Sequence, residues 1–428
     1  MTSADGGPGE YGAGELLGEQ FKGLPLGAVT TAGEIAAGRW NVLRGHTSTP
    51  VAVLRRSALE HNIETMLQYC DAAGVSLAPH AKTTLSPQLV ARQEAAGAWA
   101  FTAAVPYHVQ LLWAFGVQRV LLANELLDPA ALAWVAAELA AHPERELVCY
   151  LDSHVGLDAA AFAVAASGGT RRLPVVVELG YEGGRTGVRS QDDAVTLAQA
   201  VGASPHLRLV GVAAYEGTLA TVRTPASLAA VDTFLHEVKQ LASRLAGLGL
   251  FDPETEPIVT AGGSMFFDRV TAVLGPLAAD GFRIVLRSGC YLTHDHGLYA
   301  SASPATAAGW VLPAFESALE VWARVVSRPE PGLALLNAGR RDLSHDAGLP
   351  MPLRGHSADG VHVDLSTATV TALSDQHAFL QVPPDNPLAV GDLVGLGISH
   401  PCTTLDRWRL LLLVDDDYDV VGSARTYF

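Results

Sequence analysis

From Val75 onward, short apolar runs alternate with longer stretches in which apolar positions recur at helical spacing. The short runs are Val75 to Ala78, Ala98 to Thr102, Arg119 to Ala123, Glu146 to Leu151, Leu173 to Glu178, Leu209 to Tyr215, Pro257 to Thr260 and Phe282 to Leu286. Near-continuous Val, Leu and Ile is what strands buried on both faces of a parallel sheet require. The stretches between them, such as Pro129 to Ala141, Gln191 to Val201 and Ala226 to Leu245, read as helices. Eight such units predict a closed (β/α)8 barrel. An open doubly wound sheet is the competing arrangement, but no Gly-x-Gly-x-x-Gly turn follows the first strand.

After about Tyr299 the helical rhythm stops. Ser317 to Val326, Gly360 to Asp364, Thr367 to Leu373 and Phe379 to Val382 read as shorter strands separated by turn residues, which predicts a smaller β-rich domain. The expected division is an extension over residues 1–50, partly packed on the β-domain, a barrel over 51–305 and the β-domain over 306–428. Leu24 to Arg55 is expected to join the β-domain or bridge it to the barrel. Met1 to about Leu17 lacks periodicity and predicts a mobile start.

Composition narrows the function. The chain has 428 residues, 49% hydrophobic and 17% charged, enough apolar material for two domains. A formal charge of −16 argues against nucleic acid as a partner. No run reaches bilayer-spanning length and the first residues lack a signal-peptide pattern, so neither a membrane nor export is expected. Cys70, Cys149, Cys290 and Cys402 are scattered without a disulfide framework, and a reducing cytoplasm is the expected location. Asp415-Asp416-Asp417 reads as a solvated turn.

In a barrel of this type the chemistry lies where the strands end and the loops begin. Strand one ends in His80 and Lys82, and a lysine amine can form a Schiff base. Strand five delivers Glu178 and a loop containing Arg185, and strand six delivers Tyr215 and Glu216. Strand seven ends in Gly262-Gly263-Ser264, a turn whose small residues suit a phosphate at a helix N-terminus. Strand eight ends in Arg287-Ser288-Gly289-Cys290-Tyr291. A lysine and a phosphate turn together point to pyridoxal 5′-phosphate.

Pro79-His80-Ala81-Lys82-Thr83, Val177-Glu178 with Arg185-Thr186-Gly187-Val188, and Gly262-Gly263-Ser264 resemble fold-type III pyridoxal-phosphate enzymes. The group resembled is that of D-serine dehydratase and D-threonine aldolase, which shares its barrel with alanine racemase, and the likeness runs from about Trp40 to Phe428. It implies that Lys82 carries the Schiff base, with His80 and Tyr215 as further catalytic residues. Gly262, Gly263 and Ser264, with Tyr291, are implied at the phosphate, Arg185 and Tyr215 around the ring, and Glu178 and Ser288 as further cofactor-binding residues. Thr83-Thr84-Leu85 departs from relatives with a histidine and a second lysine there, which leaves the subgroup open.

Ser399-His400-Pro401-Cys402 carries a His-x-Cys pair that alternation would place on one side of a strand. The resemblance makes His400 and Cys402 metal ligands, with zinc favoured by the soft thiolate and manganese the alternative. It also places His377 near the site. His294-Asp295-His296 reads as a polar loop beside the cofactor.

The implied reaction is dehydration of a D-3-hydroxy amino acid to a keto acid and ammonia. Retro-aldol cleavage to glycine and an aldehyde is the rival, and a non-catalytic pyridoxal-phosphate carrier a third reading. A small D-amino acid is the expected substrate and a homodimer the expected assembly.

Overall fold

The computed structural model describes residues 11, 12, 14–169, 171–307 and 309–428. The stretch expected to be a mobile start therefore lies largely outside the described residues. Among those described, eight parallel strands run in one sheet: β1 (Ser76–Leu77), β2 (Phe101–Ala103), β3 (Arg119–Glu125), β4 (Glu146–Leu151), β5 (Leu173–Leu179), β6 (Leu207–Ala214), β7 (Ile258–Ala261) and β8 (Arg283–Leu286). They pair in chain order from β2 to β8, and β8 returns to β1 with Val285 opposite Ser76 and Leu286 opposite Leu77.

The ring closes just past the end of β1. His80 bridges in parallel to Thr102, the Thr102 amide donates to the Pro79 carbonyl at 2.9 Å, and the Thr102 hydroxyl donates to the Ala78 carbonyl at 2.7 Å. The predicted barrel is the fold that forms. Its interior is filled by Ala78, Leu121, Tyr150, Val176, Val210, Ile258 and Val285, all buried. All seven residues of β5 are buried, Glu178 among them. Leu121→Ala is expected to cost about 2–5 kcal/mol, because a closed interior of this kind collapses little around a missing side chain. The drop in the urea midpoint of the barrel's unfolding measures it.

The helices start where their caps dictate. Asp128 accepts the amides of Ala130 and Ala131 ahead of helix Pro129–Ala141, and Ser190 accepts that of Asp193 ahead of Gln191–Ala203. Thr224 and Ser227 form a reciprocal capping box for Pro225–Gly247, which buries Val231, Phe234, Leu235, Val238, Leu241, Ala242 and Leu245 along one stripe.

The chain forms two compact units. The first contains Leu67–Lys82 and Gln93–Gly289, hence the whole barrel. The second contains the segment ending at Met66, together with Thr83–Arg92 and Cys290–Phe428. Its sheet has ten strands, built on Leu319–Glu330. That strand pairs antiparallel with Leu393–Gly397, Leu333–Leu336 and Val51–Arg55. Val51–Arg55 runs parallel to Leu410–Val414 on its other side. Leu17, Phe21, Leu24, Ile35 and Val42 enter the same core as Trp322, Leu412 and Tyr418. A buried carboxylate is satisfied there: Glu320 accepts from the Trp322 indole at 3.0 Å and the Tyr418 hydroxyl at 2.7 Å, and pairs with Arg354 at 3.1 Å.

Candidate active site

Lys82 sits in the single 3-10 turn Ala81–Thr83 that follows β1, with its side chain exposed. The bridge from His80 to Thr102 fixes the backbone two residues before it. Burial holds the His80 imidazole well below its ordinary range, helped by the positive charges of Lys82 and Arg287. His108 is pushed down to about 4 by burial and by Lys82. Both imidazoles are therefore neutral at neutral pH, and Nδ1 of His80 is buried with no hydrogen-bond partner.

The other strand ends supply polar groups in the same unit. Glu178 on β5 has a buried Oε2 without a partner, as does the Tyr150 hydroxyl on β4. Glu125, the last residue of β3, is pushed up to about 8 by burial and by the neighbouring Glu178, with Asp152 adding to the effect. Glu125 thus retains its proton at neutral pH. The Arg185 guanidinium lies 4.5 Å over the Tyr215 ring. Tyr215 in turn packs against Gly217 and Gly263, where a Cβ would come within 2.4 Å and 3.3 Å of its hydroxyl. Arg287 is buried and donates to the Thr260 hydroxyl and the Ala214 carbonyl, each at 2.7 Å.

The turn after β7 is tightly held. Gly262 adopts φ +94°, and the Ser288 hydroxyl donates to the Gly263 carbonyl at 3.0 Å. The amides of Gly262 and Gly263 donate to the two oxygens of the fully buried Glu216 at 3.0 and 3.1 Å. These amides, which the sequence offered for a phosphate, are engaged by a carboxylate. The two glycines supply room, while Ser264 stands beyond them at the opening of the next segment.

A carbonyl-bearing, phosphorylated ring cofactor suits these residues at its amine and ring ends. An exposed lysine lies beside two neutral imidazoles, buried polar atoms of His80, Tyr150 and Glu178 await partners, and an Arg185–Tyr215 stack offers an aromatic wall.

The remaining candidates lie in the second unit. Tyr291 is buried there. His377 is exposed in the turn between Thr369–Leu373 and Ala378–Gln381. Asp295 accepts the amides of Gly297, Tyr299 and Ala300, so His294-Asp295-His296 is a buried helix-capping segment.

His400 and Cys402 are not on a strand. His400 is the N-cap of helix Pro401–Leu405, because Pro401 at the first helical position starts a helix at that point. The pair still converges: the Cys402 thiol is held well below its ordinary range, first by the Cys290 thiol and then by His400. His400 is pushed up to about 9, chiefly by Cys402 and also by Asp346, against the effect of burial. Nδ1 of His400 lies 2.6 Å from Asp346 Oδ2, and the Thr403 hydroxyl donates to Asp346 Oδ1 at 2.7 Å. A carboxylate on Nδ1 fixes the imidazole and leaves Nε2 for a metal, the usual outer support of a histidine ligand. The donor set fits a soft divalent ion.

Glu125 and Asp346 were absent from the sequence reading, and Glu216 and Arg287 were read at their strand ends but given no role. Glu216 and Arg287 stand at strand ends and share the signal that singled out Glu178. Glu125 lies two residues past the predicted end of its strand. Asp346 lies in a loop with no local signal.

The profile of the alanine racemase N-terminal domain matches residues 54–253, and that of the putative serine dehydratase domain matches residues 318–414. D-Threonine aldolase of Arthrobacter sp is 30% identical over 374 residues, covering 86% of this chain and 89% of that protein. The chain belongs to the fold-type III pyridoxal-phosphate enzymes. D-threo-3-Hydroxyaspartate dehydratase of Delftia sp. (strain HT23) is 30% identical over 310 residues, 70% of this chain and 73% of that one. The crystal structure of D-threonine aldolase from Filomicrobium marinum superposes with a TM-score of 0.75 at 27% identity, covering 89% of this chain and 95% of that chain. This is accordingly an enzyme, a pyridoxal-phosphate-dependent lyase whose relatives divide between aldolases and a dehydratase. Among the described residues no helix is long and apolar enough to cross a membrane.

Proposed function

We propose that the enzyme dehydrates a D-3-hydroxy amino acid to a keto acid and ammonia, with pyridoxal phosphate on Lys82 and zinc on His400 and Cys402. The observation that carries the reading is the His400–Cys402 pair with Asp346 behind it, a donor set suited to a Lewis-acidic ion. When bound, the cofactor serves as the electron sink for charge developing at the substrate Cα. A metal would polarise the β-hydroxyl as a Lewis acid.

The chain's own groups do the rest. The Lys82 amine, exposed beside neutral His80 and His108, is the attachment point and takes the proton from Cα. Arg185 and Tyr215 brace the ring, and Glu125 keeps its proton beside Glu178. Gly262, Gly263, Ser264 and Ser288 are the barrel residues assigned to the phosphate. Asp346 holds the His400 ring so that Nε2 is the free nitrogen.

Retro-aldol cleavage is the second reading, favoured by the aldolase of Arthrobacter sp. Incubation with D-serine and D-threonine separates the two. Pyruvate and 2-oxobutyrate without glycine support dehydration; glycine with an aldehyde overturns it. Asp346→Ala is expected to weaken zinc binding about 10–100-fold, as loss of an outer-shell partner does. Competition with a chromophoric chelator measures this. The reading extends to a homodimer in the cytoplasm, and sedimentation velocity tests the assembly.

A further inference from the structure

We propose that Cys290 is a third protein ligand, so that the ion on His400 and Cys402 is a zinc in a Cys2His set with one position left open. The proposal rests on the reading of His400 and Cys402 as metal ligands and adds a residue which that reading does not contain.

The Sγ atoms of Cys290 and Cys402 lie 3.5 Å apart. Two thiolates bound at about 2.3 Å to one tetrahedral zinc stand about 3.8 Å apart, so the sulfurs already span nearly one edge of that tetrahedron. A covalent bond between them would require closing to about 2.05 Å, a far larger movement. Neither cysteine is in a disulfide, and both belong to the second unit.

One hydroxyl lies against both sulfurs. The Thr83 hydroxyl lies 3.8 Å from the Cys290 sulfur and accepts from the Cys402 thiol at 3.6 Å. The Cys290 carbonyl accepts the His294 amide at 2.8 Å, and the Cys402 carbonyl accepts the Asp406 amide at 3.3 Å, so each sulfur hangs from a pinned backbone. With Nδ1 of His400 committed to Asp346, Nε2 is the nitrogen left to complete the set. Among the described residues no three such donors already converge on one point, so the ion would draw the third in by side-chain rotation.

The chemical consequence is selectivity. One imidazole and one thiolate leave room for manganese, whereas two thiolates commit the site to a soft ion such as zinc. Three protein ligands and one open position are also what a catalytic zinc keeps, the open position admitting a substrate oxygen.

Zinc-edge X-ray absorption on the zinc-loaded wild-type holoenzyme is the test. Two sulfur neighbours per zinc are expected. One sulfur overturns the role of Cys290 and leaves the His400–Cys402 pair standing; no sulfur overturns both. Cys290→Ser, made in the same holoenzyme, should retain the cofactor's visible absorbance and halve the sulfur-to-metal charge-transfer band of the cobalt-loaded protein. Its zinc affinity should fall more than about 100-fold, beyond the loss typical of an outer-shell partner. An unchanged band and affinity in that variant would refute the assignment.

Discussion

Lys82→Ala is expected to abolish both turnover and the visible absorbance of bound cofactor while leaving the fold intact. Two functions are lost at once, the covalent attachment and the base that takes the α-proton. Loss of a positioned general base alone lowers kcat by about 10²–10⁴-fold, and loss of attachment adds to that. The fold should tolerate the change because the side chain is exposed in the turn after β1, and an exposed substitution away from caps and buried pairs rarely costs more than about 0.5 kcal/mol. The barrel's closure rests on backbone bonds from Pro79 and His80 to Thr102, which the substitution leaves in place. Circular dichroism, the absorption spectrum and a keto-acid assay on the same preparation check all three statements. Unchanged visible absorbance in the variant would show that the cofactor is attached elsewhere.

Most of the fold was legible because its signal is burial. A strand such as β5, Leu-Pro-Val-Val-Val-Glu-Leu, is enclosed at every position, and no other element writes an apolar run of that length and composition. The helices at Pro129, Gln191 and Pro225 begin at caps supplied by Asp128, Ser190 and Thr224. Residues that act through a partner were harder to read. Glu216 stands at a strand end as His80 and Lys82 do, but its role shows only once the Gly262 and Gly263 amides are seen to donate to it. The same holds for Asp346, fifty-four residues from the His400 ring that it orients. Alternation suggested a strand at His400, but Pro401 fixes the backbone for a helix start and overrides a two-residue period. Cys290 was visible as the residue two after Ser288, yet nothing in its spacing from Cys402 showed that their sulfurs meet.

Removing the metal should separate the two chemistries that the enzyme combines. His400→Ala, or exhaustive chelation of the wild type, is expected to lower the rate of D-serine dehydration about 10²–10⁴-fold, since a Lewis acid on the departing hydroxyl is worth several kcal/mol. The visible absorbance should persist in both, because Lys82, Arg185 and Tyr215 belong to the barrel unit and His400 to the other. The two treatments then diverge. Zinc restores the chelated wild type, whereas His400→Ala stays inactive at zinc concentrations that saturate the wild type, since the imidazole that Asp346 aims is gone. Manganese should restore little at a site whose thiolate prefers a softer ion. If the chelated enzyme keeps its full rate, the hydroxyl leaves without a metal, and the His400–Cys402–Asp346 cluster is a partly exposed polar network of the second unit with a structural role alone.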